Sequence, residues 1–310
     1  MTFDQHFDLK NNKIDVLLIG EILVDIIRDS LNSVEYRLFG GSPGNIAVNL
    51  NNLGMKVKLY ASIGADDFGD FLIKKLHEKQ IENVINVTNG KTSYVELNKN
   101  IGTPTPRFYR YSDYMIPFSN DLINDLSLSK ILHFSYWPLS MEPGFETVLK
   151  SILDARNKGV MIGFDPNYHP DLDDDKKSGI TRIKAILPLI DIIKPSYDDS
   201  LRIFGQHTVD EFLDIYESYG ISLIIITLGE KGLIARFQGE TIALPSKATE
   251  VVDATGAGDA FWSGLYAGLA SNKSIMDSMK IGLLCSAYCL KVVGADGLLP
   301  NLEKLVENLN

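Results

Sequence analysis

The sequence predicts an α/β fold: a three-layer α/β/α body with a central, mostly parallel sheet, plus a small β-sheet lid. Three observations carry this expectation. Five short apolar, β-branched runs recur along the 310 residues: DVLLIG (15–20), KILHFSY (130–136), VMIGFD (160–165), DIIKPS (191–196) and LIIIT (223–227). Segments of helical period lie between them, and apolar strands alternating with helices describe a parallel sheet buried on both faces. Two stretches, about 24–39 and 92–117, instead contain short alternating strands such as TSYVELN and the aromatic-rich PRFYRYSDY, with no long helix between them.

Residues 1–13, MTFDQHFDLKNNK, read as an N-terminal extension without the basic start or apolar core of a signal peptide. The unit that follows, 14–310, reads as one domain with the lid segments inserted in it. Helices are expected at 45–53, 68–79 and 146–158; the last carries Val148, Leu149, Ile152 and Leu153 at helical spacing. The lid needs cover for its apolar face, so it is expected to close over a ligand, to pair with a second copy as a homodimer, or both. The acidic run DLDDDKK (171–177) reads as solvated. Cys285 and Cys289, the only cysteines, lie four apart on a helical pattern and read as two reduced core thiols.

A formal charge of −10 and a pI near 5.0 argue against nucleic acid or an anionic membrane as the partner. No apolar run approaches the ~20 residues that span a bilayer, so a cytoplasmic protein is expected. Any phosphate ligand must then be held by local devices.

One such device is VVDATGAGDAFWSGL (251–265). A strand-like EVV leads through Asp253, Ala254 and Thr255 into Gly256-Ala257-Gly258, then into an apolar helix in which Gly264 and Gly268 permit close packing. A turn free of large side chains at a helix N-terminus offers unpaired N–H groups and a partial positive charge, which suits phosphate. Asp259 within that turn is out of place for ground-state anion binding. It reads as a base that orients an acceptor hydroxyl, with the helix end favouring its ionised form.

DATGAGDAFWSG resembles the C-terminal signature of the ribokinase-like (PfkB) family of sugar kinases. FGGSPGNIAVNLNNLG (39–54) is similar to that family's N-terminal signature and GADDFGDFL (64–72) to the segment after it. The resemblance implies a ribokinase-like fold, ATP and Mg²⁺ as cofactors, and a monosaccharide as substrate. It makes Asp259 the catalytic base and the 256–258 backbone the anion hole. It assigns Asp25, Gly41 and Asn45 to the sugar, whose hydroxyls a carboxylate and an amide can bind. It places the nucleotide at Lys194, at the ITLGEKG turn with Thr227, Gly229 and Gly232, and at the Gly294-Ala295 pair. Ser196-Tyr197-Asp198-Asp199 stands where relatives write N-x-x-E, so Asp199 would act on Mg²⁺ through water, one carbon short. K⁺ near Asp253 and Thr255 follows from some relatives.

Within the family the chain is most similar to fructokinases and 2-keto-3-deoxygluconate kinases. Asp165-Pro166-Asn167-Tyr168-His169 carries histidine where those relatives commonly have arginine, and arginine would suit a sugar-acid carboxylate. Asn167, His169 and Arg110 are thus further candidate sugar contacts. The expectation is a neutral acceptor, D-fructose phosphorylated on its primary hydroxyl. A 2-keto-3-deoxygluconate kinase, a ribokinase-like kinase, or a non-catalytic sugar- or nucleotide-binding member are the alternatives. NGKTS (89–93) is not a P-loop, because position 85 is Ile85 rather than glycine. IGEILVD also lacks the glycines of a dinucleotide fingerprint.

Overall fold

The computed structural model describes residues 2–29, 34–99, 106–173, 176–292, 294, 299–307 and 309. The strand Ile14–Ile19 lies between Val57–Gly64 and Ser129–Ser135, parallel to both. Asn83–Thr88 adds in parallel beyond Val57–Gly64. On the other side the sheet runs in parallel through Met161–Asp165, Ile192–Ile193 and Leu223–Thr227. It ends in the antiparallel hairpin Leu233–Phe237 and Glu240–Leu244. Among the described residues this makes nine strands. All five apolar runs are strands, although DIIKPS pairs only over Ile192–Ile193 before Ser196 bridges Thr227.

Because side chains alternate along a strand, Ile14–Ile19 feeds two cores. Val16 and Leu18 join Ile46, Phe261 and Leu265, whereas Leu17 and Ile19 join Val148, Ile152 and Phe212. Helices therefore cover both faces, as the continuous apolar runs require. The expected helices begin slightly early, as Ser42–Asn52, Asp67–Glu78 and Gly144–Asn157. Gly264 and Gly268 bring Ala257–Ala270 against Ile275–Cys289, since β-carbons there would overlap the Ile281 carbonyl and Ser278. Cys285 and Cys289 are buried free thiols on that second helix.

The lid is a separate four-stranded sheet in the order Val34–Gly40, Leu23–Asp29, Tyr94–Lys99, Pro106–Tyr109. Its outer pairs are antiparallel and its central pair is parallel. Residues 110–117, expected within the lid, carry no strand. Neither does EVV at 250–252, where Val251 and Val252 are exposed. The apolar pattern there serves the mouth of a cleft, and no neighbouring strand is paired to it. The extension at 1–13 is not loose: Phe3 is buried beside Phe237, and Ile275 N–H donates to the Gln5 carbonyl.

Strand order reverses between Ile14–Ile19 and Ser129–Ser135, the two strands from which the sheet grows in opposite directions. In open α/β sheets the crevice at the carboxyl ends of such a pair is the customary ligand site. The lid strand Leu23–Asp29 leaves from that edge.

Candidate active site

Asp259 sits in the first turn of Ala257–Ala270, and its carboxylate is held from another helix. Ser42 Oγ donates to Asp259 Oδ1 at 2.6 Å and Asn45 Nδ2 donates to Oδ2 at 2.9 Å. Both donors lie on the first turn of Ser42–Asn52, which begins after Gly41 at φ 96°. One helix thus presents the donors and the other presents the acid.

Burial pushes the Asp259 carboxyl up to about 6, against the lowering effect of the Ser42 and Asn45 hydrogen bonds. The sequence-based expectation that the helix end favours the ionised form is therefore corrected: desolvation outweighs it. The group is still ionised roughly tenfold over protonated at pH 7. Asp25 faces the same space, raised to about 7 by burial and then by the charge of Asp259. Its carboxylate accepts no hydrogen bond from a described residue, which leaves it open to hydroxyl donors. Gly40 makes this placement achievable, because a β-carbon there would overlap the Asp25 carboxylate.

The anion turn is built as its small residues suggest. Gly256 caps the helix in the left-handed region at φ 78°. The Ala257 N–H already donates to the Ala254 carbonyl at 3.3 Å, so Gly258 and Asp259 carry the N–H groups that position leaves without an intrahelical acceptor. Lys194, 4% exposed, reaches this turn: its Nζ lies 3.5 Å from where a Gly258 β-carbon would stand. Asp165 Oδ2 holds Lys194 at 3.2 Å and accepts from Trp262 Nε1 at 2.8 Å.

On the other side of the turn opens a cleft of about 650 Å³. Thr227, Gly229 and Gly232 line one wall, Ala257 and Gly258 the floor, and Phe261, Leu283 and Leu290 an apolar wall. Gly294 approaches from outside, its N–H donating to Asp253 Oδ2 at 2.9 Å. Thr255 donates its N–H and its hydroxyl to Asp253 Oδ1, at 3.0 and 2.8 Å. Asp253 and Thr255, expected near a monovalent cation, here clasp the loop that feeds the anion turn. Ala295 lies outside the described residues.

Four expected contacts are placed differently. Arg110 is locked, with its guanidinium against Asp113 at 2.5 Å, the Trp137 carbonyl at 3.0 Å and Ser140 Oγ. It braces the lid base rather than reaching into the site. Asp199 closes a capping box with Ser196, and its other oxygen accepts from Tyr168 N–H at 3.0 Å and from Arg202 at 3.4 Å. With both oxygens of a buried carboxylate so engaged, the residue does not fit a metal-water contact. Asn167 is exposed at φ 34°. His169 caps the 170–172 turn through Nδ1 and packs edge-on to Phe108, which in turn meets Trp137 at 5.3 Å.

The sequence reading passed over Glu21, Ser42 and the cleft-wall residue Phe261, whereas Leu283 and Leu290 fall in IGLLCSAYCLKVVGADGLLP (281–300), a stretch that resembles the helix and loop enclosing adenine in relatives. Glu21 had a signal in GEILVD, an acid among buried residues in the connection between Ile14–Ile19 and Leu23–Asp29. Ser42 had none beyond following Gly40-Gly41.

The pfkB family carbohydrate kinase profile matches residues 13–302. A relative from Thermoanaerobacterium thermosaccharolyticum, named ATP-dependent 6-phosphofructokinase, is 41% identical, covering 98% of this chain and 96% of its own length. The solved fructokinase of Halothermothrix orenii is 35% identical with a TM-score of 0.79, covering 90% of this chain and 100% of that one. A Xylella fastidiosa fructokinase solved with bound ATP shares the fold at a TM-score of 0.86 and 21% identity, covering 94% and 97%. With that match across nearly its whole length, and with an acid in the first turn of the helix that Gly256 caps, the chain belongs to the pfkB family of carbohydrate kinases and is a sugar kinase.

Proposed function

We propose that this sugar kinase transfers the γ-phosphoryl group of ATP to the primary hydroxyl of D-fructose, giving fructose 6-phosphate and ADP. The observation that carries the reading is the Asp259 carboxylate, buried at the junction of the anion turn and the Asp25 wall and gripped by Ser42 and Asn45. Sugar hydroxyls meet Asp25, Asn45 and the backbone at Gly41. The nucleotide lies in the cleft between Thr227–Gly232 and Phe261, its terminal phosphate against the Gly258 and Asp259 amides and Lys194.

In the step itself the acceptor oxygen attacks the γ-phosphorus, the bond to the β,γ-bridging oxygen breaks, and ADP leaves. The acceptor proton passes to the ionised Asp259. Backbone donors aimed at the transferring group are each worth roughly 10²–10³ in rate by analogy with oxyanion holes. The divalent ion that travels with ATP supplies charge neutralisation on the phosphates. Closure of the lid would exclude water that otherwise takes the phosphoryl group.

The 41% identical relative favours one second reading, a phosphorylated acceptor such as fructose 6-phosphate. A second phosphate needs free cations: Arg28, Arg37 and Arg110 already face Glu35, Glu96 or Asp113, whereas Arg107 on the lid strand Pro106–Tyr109 is exposed with no ion pair to a described residue. Three of these four guanidiniums thus favour the neutral sugar, and Arg107 is the one open to a second phosphate. The test is ADP release from MgATP with fructose, fructose 6-phosphate, 2-keto-3-deoxygluconate, ribose and adenosine. Highest kcat/KM on fructose upholds the reading; highest on fructose 6-phosphate or the keto-acid replaces it.

A further inference from the structure

Glu21 lies immediately after the strand Ile14–Ile19 and Gly20, and Ser135 ends the strand Ser129–Ser135. These are the two strands between which the sheet order reverses. The Glu21 side chain spans the gap: Oε2 accepts from Ser135 Oγ at 2.9 Å and Oε1 accepts from the Ser42 backbone N–H at 3.1 Å. Glu21 is 2% exposed, and Ser135 and Ser42 are buried with it. A carboxyl in such a place is costly to keep unless its hydrogen bonds do something.

What those bonds hold is Ser42. Its backbone N–H is fixed by Glu21 and its side-chain hydroxyl is fixed on Asp259, so one residue joins the buried acid to the acid in the anion turn. Asn45, one turn further along the same helix, supplies the other hydrogen bond to Asp259. The start of the Ser42–Asn52 helix has no side-chain cap of its own, since Gly41 occupies the N-cap position. Glu21 does from outside what a capping side chain would do, accepting from a first-turn N–H group.

We infer that Glu21 is a positioning residue for phosphoryl transfer: bridging Ser135 and Ser42, it sets the helix turn from which Ser42 and Asn45 aim the Asp259 carboxylate. Asp259 touches the reacting atoms; Glu21 acts only through Ser42. The chemistry of the site also says which replacement should serve. Burial pushes Glu21 up to about 8, with Asp113 adding to the rise, which favours the protonated acid, whose O–H would donate to Ser135 Oγ in place of accepting from it. A glutamine can copy a neutral acid, its carbonyl accepting from Ser42 N–H and its amide meeting Ser135 Oγ. An alanine cannot.

The inference rests on the reading of Asp259 as the base, so the experiment carries Asp259→Asn beside the Glu21 variants. Steady-state kinetics of Glu21→Ala, Glu21→Gln and Ser135→Ala are measured in the full chain with saturating MgATP and a turned-over sugar. Displacing a reacting group by about 1 Å costs on the order of 10²-fold in rate. The expected result is a kcat about 10²-fold lower in Glu21→Ala with KM for ATP changed by less than about twofold. Glu21→Gln should return kcat to within about threefold of the wild type. Ser135→Ala should show a smaller loss of kcat, about threefold to tenfold, again with KM for ATP held.

A Glu21→Ala chain that folds and turns over within about threefold of wild type overturns the inference. So does a loss in Glu21→Ala that Glu21→Gln fails to rescue, or one shared equally by kcat and by KM for ATP. If Glu21→Ala does not fold, Ser135→Ala decides: wild-type kcat there overturns the bridge, and a selective kcat loss upholds it. If Asp259→Asn itself turns over normally, the base assignment has failed. If Asp259→Asn is inactive while Glu21→Ala is active, only the present inference has failed.

Discussion

The two walls that meet at Asp259 are made of different material. The proposed sugar wall is side chains: Asp25, open to hydroxyl donors, and Ser42, Asn45 and, behind them, Glu21, the last three buried and tied by named hydrogen bonds. The proposed nucleotide wall is backbone and hydrocarbon: Gly229, Gly232, Ala257 and Gly258 beside Phe261, Leu283 and Leu290. Acids dominate the first, and burial raises three of them, Asp259, Asp25 and Glu21, to about 6, 7 and 8. The first wall can discriminate hydroxyl patterns because a buried polar group left unpaired is penalised heavily. The second can take a bulky anion by close approach. The sugar wall should therefore fail on single substitutions, and the nucleotide wall should fail mainly where its backbone is forced to move.

The largest break in that comparison is expected at Gly40. Gly40→Ala drives a β-carbon into the Asp25 carboxylate, so kcat/KM for the sugar should fall about 10²-fold or more while KM for ATP stays within about twofold. Equal losses on both substrates would show that the walls are not separable.

The pH profile should follow next. Asp25 and Asp259 must both be ionised to accept hydroxyl protons, and their raised values put the loss on the acid side. In kcat/KM for the sugar, activity should decline below about pH 7 and by tenfold or more per unit below about pH 6. A profile flat down to pH 5 would contradict the burial of these carboxyls.

How much of this was legible beforehand differs between the walls. Asp259 and its turn stood out because three small residues before a carboxylate have no structural need for one another. The five parallel strands stood out because continuous β-branched runs have few other uses. The apolar cleft wall was only partly legible: Leu283 and Leu290 fall in the 281–300 stretch that resembles the adenine-enclosing helix and loop, but Phe261 looks like an ordinary core position at helical spacing, and only the packing of two helices shows which face is left open. Arg110 misled because a lid arginine reads as a ligand contact, while Asp113, three residues on, claims it within the fold. The helix-end argument for Asp259 weighed a local dipole without the desolvation that only tertiary burial imposes.

On the nucleotide wall a smaller effect is expected. Gly232 holds φ 91°, and a β-carbon there would overlap the Leu244 carbonyl of the edge hairpin. Gly232→Ala should raise KM for ATP by roughly tenfold with kcat for the bound complex little changed. The smallest effect is expected at Asp199, because its role is capping. Asp199→Ala should cost about 1 kcal/mol of stability in denaturant unfolding, and the Mg²⁺ concentration for half-maximal rate should stay within about twofold. A tenfold rise in that concentration would return Asp199 to the metal.

The meeting point of the two walls is tested most directly by one pair of assays: sugar-dependent ADP release from MgATP by the wild type and by Asp259→Ala, with ATP binding followed by calorimetry. The account predicts that turnover falls by about 10²–10⁴ or more while ATP affinity stays within a few-fold. Near-wild-type turnover in Asp259→Ala would contradict it, because the acceptor proton would then have to pass to another group, such as Asp25 across the same space.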